Sequence, residues 1–218
     1  MNKVTNQGNK AFIANWYEMP NNRYFYCVFI VVGSVLFLLI LFLLIYENDT
    51  LPVGNVAFQN GDLVFIRGRT WRSWIVRFFD ITDDYSHVGI VRFVDGVPKI
   101  IHAAPETETV QFESAEEFLS TSKADKAGVY RLKNNRYAEA ASMEALGYFE
   151  RGVSFDHRFD TLHSEALYCT ELVWLAYKHA GIDLGKGEAD FLYDSTPYGK
   201  VLLPGRLSKS EHLVKIEK

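Results

Sequence analysis

Cysteine is scarce in this chain: two occur in 218 residues, Cys27 and Cys169. Cys27 lies inside an apolar run, which argues against a disulfide between the two. The absence of any Cys-x-x-Cys excludes a thiolate zinc site of the usual spacing. A basic excess is missing as well. With 23 basic and 27 acidic side chains the net charge is −4, so the electrostatic footprint of a nucleic-acid binder is absent. No internal repeat is visible. Charge of either sign is missing from Tyr24 to Tyr46, a run of 23 residues. As a helix rising 1.5 Å per residue it spans roughly 34 Å, against a bilayer core of ~30 Å. A signal peptide has an apolar core of only ~7–15 residues and a small-residue cleavage site. Tyr46-Glu47-Asn48-Asp49 offers no such site, so the run reads as an uncleaved anchor.

Lys3, Lys10 and Arg23 precede the run against the single acid Glu18, which leaves −6 for the residues beyond it. The positive-inside rule then places residues 1–23 in the cytoplasm and the rest outside. The expected organisation is a cytoplasmic tail 1–23, a transmembrane anchor 24–46, a linker 47–60 with Pro52 and Gly54, and an extracytoplasmic domain 61–218, facing a bacterial cell envelope. The 48% hydrophobic content is enough for one globular domain plus such an appendage.

Within the domain, Gly61-Asp62 opens a strand, Leu63–Ile66. Ser86–Val94 and Val97–Ala103 read as two strands joined by Asp95-Gly96, a strong hairpin signal. Further strands are expected at Glu108–Phe112 and Gly128–Leu132. Ser114 caps a short helix to Leu119 and faces Glu117 as a capping box. Arg136–Glu150 is a second helix, with Ala138, Ala141, Ala145 and Phe149 on one face. After Gly181 the chain reads as loop-rich, with Pro197, Pro204 and several glycines. Helices and a mainly antiparallel sheet in separate runs indicate α+β.

Cys169 opens a third helix, whose Leu172, Val173, Ala176 and Ala180 form an apolar face. A thiol in a first helical turn meets unpaired backbone N–H groups and the positive end of the helix dipole, and both favour thiolate. The position suits a nucleophile, and it also suits a small core residue.

The hairpin locates two histidines. With Asp95-Gly96 as the turn, Val94 faces Val97, so His102 faces Gly89 and His87 faces Ala104. Side chains alternate along strands, which puts His87 and His102 on one face as a diagonal pair with Cα atoms ~7–8 Å apart. Pro98 faces Phe93 at a non-hydrogen-bonded position, so its missing N–H points away from that neighbour. A one-residue bulge would separate the pair.

Two co-facial histidines and a helix-start cysteine suggest nucleophilic catalysis, with one imidazole handling the proton and a third group orienting it. The same three residues could ligate a catalytic zinc, although nothing in their spacing favours that. Asp80, Asp83 and Asp84 could bind a cation or form a solvated loop. His157, His163 and His212 join no constellation. His179 sits near a helix C-terminus, where a cation is favourable.

Four stretches resemble the permuted branch of the NlpC-type papain-like cysteine hydrolases, especially the YiiX-like amidases. They are Gly61-Asp62-Leu63-Val64-Phe65, Tyr85-Ser86-His87-Val88-Gly89-Ile90-Val91, Gly152-Val153-Ser154-Phe155-Asp156 and Tyr168-Cys169-Thr170-Glu171-Leu172-Val173. The histidine strand precedes the cysteine helix, the order of that branch. The resemblance implies a circularly permuted papain-like fold, His87 as base, Cys169 as nucleophile and His102 as orienting residue. Tyr168, Tyr85 and Ser86 are expected in the substrate and oxyanion neighbourhood. YiiX-like members often carry Glu at the third position; histidine there is similar to the lecithin:retinol acyltransferase-like relatives. The implied chemistry is cleavage or transfer at an amide or ester carbonyl through an acyl-enzyme, with no metal and no cofactor. The substrates implied are peptidoglycan-type peptides or N-acyl and acyl-lipid molecules. An envelope-binding module without activity is the reading from another class.

Trp71 to Phe79 reads as a further helix. Trp71, Trp74, Ile75, Phe78 and Phe79 form one face, and Arg67, Arg69, Arg72 and Arg77 lie within or just before it. That pattern suits either a core helix with arginines in water or a helix lying among lipid headgroups.

Overall fold

The structure, a computed structural model, describes residues 22–45, 50–51, 53, 56–70, 73, 76–77, 80, 83–159, 165–185, 192–196 and 199–216. The chain divides into two compact units, Met1–Glu47 and Asn48–Lys218.

The first unit contains helix α1, Asn22–Ile45. Every large apolar side chain described in it, from Val28 to Ile40, is exposed. The Ser34 hydroxyl is satisfied locally by the Val31 carbonyl at 2.9 Å. No helix among the described residues is long and apolar enough to cross a membrane. Of α1 itself, the described side chains are those of residues 28–40.

The second unit is built on a six-stranded sheet of order β10-β5-β1-β2-β3-β4. Its strands are β1 (Leu63–Gly68), β2 (His87–Val94), β3 (Val97–Ala103), β4 (Val110–Ser114), β5 (Ala124–Leu132) and β10 (Leu213–Ile216). Every pairing in it is antiparallel. Alternation along the strands gives two apolar faces. Leu63, Phe65, Val88, Ile90 and Ile101 bury against helices α3 (Ala138–Glu150) and α4 (Cys169–His179). Val64, Ile66, Val91 and Ile100 bury against α2 (Ala115–Phe118) through Phe118. The architecture is the expected mixture of helices and antiparallel sheet.

The hairpin has the derived register, Val94↔Val97 through Ile90↔Ile101. Asp95 and Gly96 both take positive φ, 52° and 78°, the conformation of a type I′ turn that matches strand twist. Pro98 lies one residue beyond the last β3–β4 pair, Lys99↔Ser114, so no β4 carbonyl waits for its missing N–H. Gly61-Asp62 also has a structural reason. Gly61 has φ +83°, and a Cβ there would sit 2.5 Å from the Ala138 carbonyl oxygen. Asp62 is buried and takes a bidentate ion pair from Arg131, 2.7 Å and 2.8 Å, with the Gln59 N–H at 2.8 Å. That network joins β1 to β5 at the point where the domain's first strand begins.

Several boundaries differ from the sequence reading. The expected linker is partly docked: Thr50 bridges Ser120, the Leu51 N–H donates to the Leu119 carbonyl at 2.7 Å, and Leu51 and Phe58 join the Phe118 face. β4 starts at Val110 because Glu108 takes a positive φ and Thr109 bridges Ser154 instead of β3. The segment after Gly181 is more than loop. It contains β8 (Leu192–Thr196), β9 (Gly199–Leu202), α5 (Pro204–Ser208) and β10, which pairs with the outer edge of β5. Two-residue strands β6 (Ser154–Phe155) and β7 (Ala166–Leu167) pair in parallel. The stripe Trp71, Trp74, Ile75, Phe78 and Phe79 lies outside the described residues, as do His163 and most of the N-terminal tail.

Candidate active site

Helix α4 begins at Cys169. The preceding Tyr168 is extended and gives no side-chain cap, so the first-turn N–H groups keep their capacity to donate. Two contacts clamp this end of the helix. The Thr170 hydroxyl donates to the Leu202 carbonyl at 2.6 Å, and the Leu202 N–H donates to the Tyr168 hydroxyl at 3.0 Å. Leu172, Val173 and Ala176 are fully buried under the sheet.

Cys169 is half-buried and its thiol is free of any disulfide. Burial pushes that thiol up to about 11. The backbone N–H groups of Val88, Thr170 and Cys169 pull the other way and recover only part of the shift. This reverses the expectation drawn from the helix dipole alone: the dipole and its N–H groups are present, and loss of water outweighs them. The Val88 amide is available because the β2–β3 ladder begins only at Ile90↔Ile101. Through it the sulfur is placed beside the residue that follows His87.

His87 opens β2 and faces Ile66 on β1. Its Nε2 lies 2.9 Å from His102 Nδ1, with the two rings nearly perpendicular at 87°. Phe118 packs against both rings, with centroids 5.6 Å and 5.0 Å away. Gly89 makes the meeting possible, since a Cβ there would lie 2.3 Å from Ile100 Cγ2 and 3.2 Å from His102 Cβ. The diagonal pair deduced from the turn is therefore present, and no bulge intervenes. Burial, then the neighbouring His102, pushes His87 down to about 3, so the ring is neutral at physiological pH.

A carboxylate completes the row. His102 Nε2 lies 3.7 Å from Glu113 Oε1, and Lys123 Nζ donates to Glu113 Oε2 at 2.9 Å. The facing His102 and then Lys123 hold Glu113 down at about 2, against its partial burial. Glu113 was not singled out in the sequence. Ending β4 at Phe112 hid it; extending the strand to Ser114 sets His102 opposite Gln111 and Glu113 on the adjacent diagonal.

The other sequence candidates are placed as follows. Tyr85, Ser86 and Tyr168 flank His87 and Cys169 in sequence, but their side chains are buried. Tyr85 packs on Phe65 and Tyr130, and the Ser86 hydroxyl accepts from the Gly68 N–H at 2.9 Å. These side chains hold the strand and helix ends in place. The three aspartates meet protein donors: Asp80 takes the Gly205 N–H, Asp83 faces Ser208, Lys126 and Lys209, and Asp84 pairs with Arg67. Among the described residues no group of three or more His, Cys, Asp or Glu is arranged to hold a metal ion. His157 pairs with Glu108 at the surface, His179 meets the Tyr148 hydroxyl, and His212 lies near Glu211.

A neutral thiol and a neutral imidazole have a chemical signature. Alkylation of Cys169 by iodoacetamide, followed by mass spectrometry of its own peptide, is expected to be slow at pH 7 and to rise up to about pH 11. A rate already at its plateau at pH 7 would reveal a resting thiolate–imidazolium pair and overturn this picture.

A family model described as permuted papain-like amidase enzyme, YaeF/YiiX, C92 family, matches residues 57–215. Among solved structures, the crystal structure of metalloprotein yiiX from Escherichia coli O157:H7 is similar, with a TM-score of 0.60 at 21% identity over 73% of this chain and 97% of that one. At that identity the likeness is one of fold. No curated protein matches the sequence.

Proposed function

The chain belongs to the YaeF/YiiX (C92) family of permuted papain-like amidases, a family of cysteine hydrolases, and from that membership we propose that it cleaves an amide bond with Cys169 as nucleophile, His87 as base and His102 as orienting residue. The observation that carries the assignment is the 2.9 Å contact between His87 Nε2 and His102 Nδ1, on the strand whose Val88 amide meets the Cys169 sulfur. In the reaction, Cys169 Sγ attacks the carbonyl carbon as its proton passes to His87. The oxyanion takes hydrogen bonds from helix-start N–H groups, that of Cys169 among them. His87 returns the proton to the leaving nitrogen, the C–N bond breaks and a thioester remains. Water, deprotonated by His87, attacks the thioester, and the acid departs as the thiol is restored.

The substrate proposed is a peptide of the peptidoglycan type or an N-acyl molecule. Incubating the protein with envelope extract, quenching in acid and measuring intact mass is expected to reveal an acyl adduct on Cys169. An adduct of peptide mass supports the amidase reading. A fatty-acyl adduct would replace it with lipid acyl hydrolysis or transfer, and no adduct and no turnover with any fraction would indicate a binding module.

We also propose that α1 anchors the chain in a membrane, with residues 1–23 on the cytoplasmic side. Its exposed apolar side chains from Val28 to Ile40 and the uncharged run Tyr24–Tyr46 support this. The full chain is expected to stay in the membrane pellet on alkaline extraction, and its release would remove the anchor.

A further inference from the structure

We infer that Glu113 is a positioning residue that sets the tautomers of the histidine pair, and through them decides which nitrogen of His87 can take a proton. The inference rests on the reading of Cys169 and His87 given above. Three observations carry it. His102 is buried, 5% exposed, and its Nε2 has no hydrogen-bond partner among the described residues. The closest charge to that nitrogen is Glu113 Oε1 at 3.7 Å. Glu113 is held from its other side by Lys123, which bonds Oε2 at 2.9 Å and leaves Oε1 turned to the ring.

A neutral imidazole carries its proton on one nitrogen, and the partner of the other nitrogen selects which. A carboxylate facing Nε2 attracts an N–H there and repels a lone pair. His102 is then protonated on Nε2, and its Nδ1 can only accept. With both rings neutral, the 2.9 Å contact is then His87 Nε2–H donating to His102 Nδ1. That leaves His87 Nδ1 with a lone pair, the base the thiol needs. The opposite assignment reverses each step. It sets the His102 Nε2 lone pair against the carboxylate, puts the contact's proton on His102 Nδ1 and leaves His87 with N–H at Nδ1. Such a ring cannot take the proton of Cys169. Glu113 thus biases the pair toward its competent form without touching substrate. Lys123 is 43% exposed and also lies 3.7 Å from Glu117, which orients the carboxylate from the solvent side.

The test is 15N chemical shifts of the full chain labelled at histidine, with kinetics on the same preparations. In the unmodified protein His102 is expected as the Nε2–H tautomer and His87 as Nε2–H with an unprotonated Nδ1. Glu113→Gln, which keeps the shape and removes the charge, is expected to mix the two His102 tautomers. It should lower kcat by about tenfold to a hundredfold with KM nearly unchanged, the scale on which supporting partners of reactive groups act. A His102 proton found on Nδ1 in the unmodified protein overturns the inference, and so does a Glu113→Gln protein with unchanged tautomers. The unmodified spectrum decides the matter even where Glu113→Gln fails to fold. It is also independent of turnover, so an active Cys169→Ala protein would sink the amidase reading while leaving the tautomer result to stand separately.

Discussion

Cys169→Ala is expected to abolish the proposed amide hydrolysis, by on the order of a thousandfold or more, and to leave the thermal midpoint close to that of the parent protein. The loss follows from the mechanism: without sulfur no thioester forms, and what survives is whatever acceleration binding and oxyanion contacts give alone. The small effect on stability follows from the site. The side chain is only partly buried, and the apolar face of α4 is carried by Leu172, Val173 and Ala176. The start of the helix is held by the Thr170 and Tyr168 contacts to Leu202, none of which involves the thiol. Steady-state hydrolysis with a thermal melt checks both halves. Activity within tenfold of the parent removes Cys169 from the reaction.

The second large effect separates the two histidines. His87→Ala is expected to cost about a hundredfold to ten-thousandfold in kcat, the usual contribution of a positioned acid–base group. His102 need only accept from His87 Nε2–H, so a side chain presenting an oxygen there should keep part of the activity. His102→Glu is the natural choice, but the structure adds a condition. The new carboxylate would lie beside Glu113, whose Oε1 is 3.7 Å from the present ring, and two like charges in a buried site oppose each other. The double substitution His102→Glu with Glu113→Gln is therefore expected to be more active than His102→Glu alone. Comparing kcat for the three proteins tests the assignment. If both His102 variants are as inactive as His87→Ala, the roles of the two rings are misassigned.

The pairing of the histidines was legible because it depends on local chemistry. Asp95-Gly96 admits positive φ at two successive positions, a two-residue turn sets the register, and the period of a strand is two. Nothing distant could alter that result without a bulge. The α4 helix was legible for a similar reason, since an apolar face at helical spacing buries in only one direction. Gly61 and Asp62 could be picked out as a motif, yet their causes lie in Ala138 and Arg131, about seventy residues away in the chain.

From the sequence alone came the α+β class, the hairpin register, the cysteine helix and the uncharged run that became α1. Each is a matter of turn chemistry or periodicity within some twenty residues. The tertiary structure decided the state of the site. The helix dipole at Cys169 is a local property, but the burial that raises its thiol, and the Val88 N–H that opposes it, come from the folded chain around it. The neutral state of His87 likewise depends on what buries its ring. Glu113 reached His102 only because β4 runs to Ser114, after Glu108 and Thr109 turned aside to meet Ser154. β10 formed because β5 offered it an edge, which a four-residue strand without a strong pattern of its own does not announce. Protonation and strand ends are set by desolvation and by partners remote in sequence, and those exist only once the chain has folded.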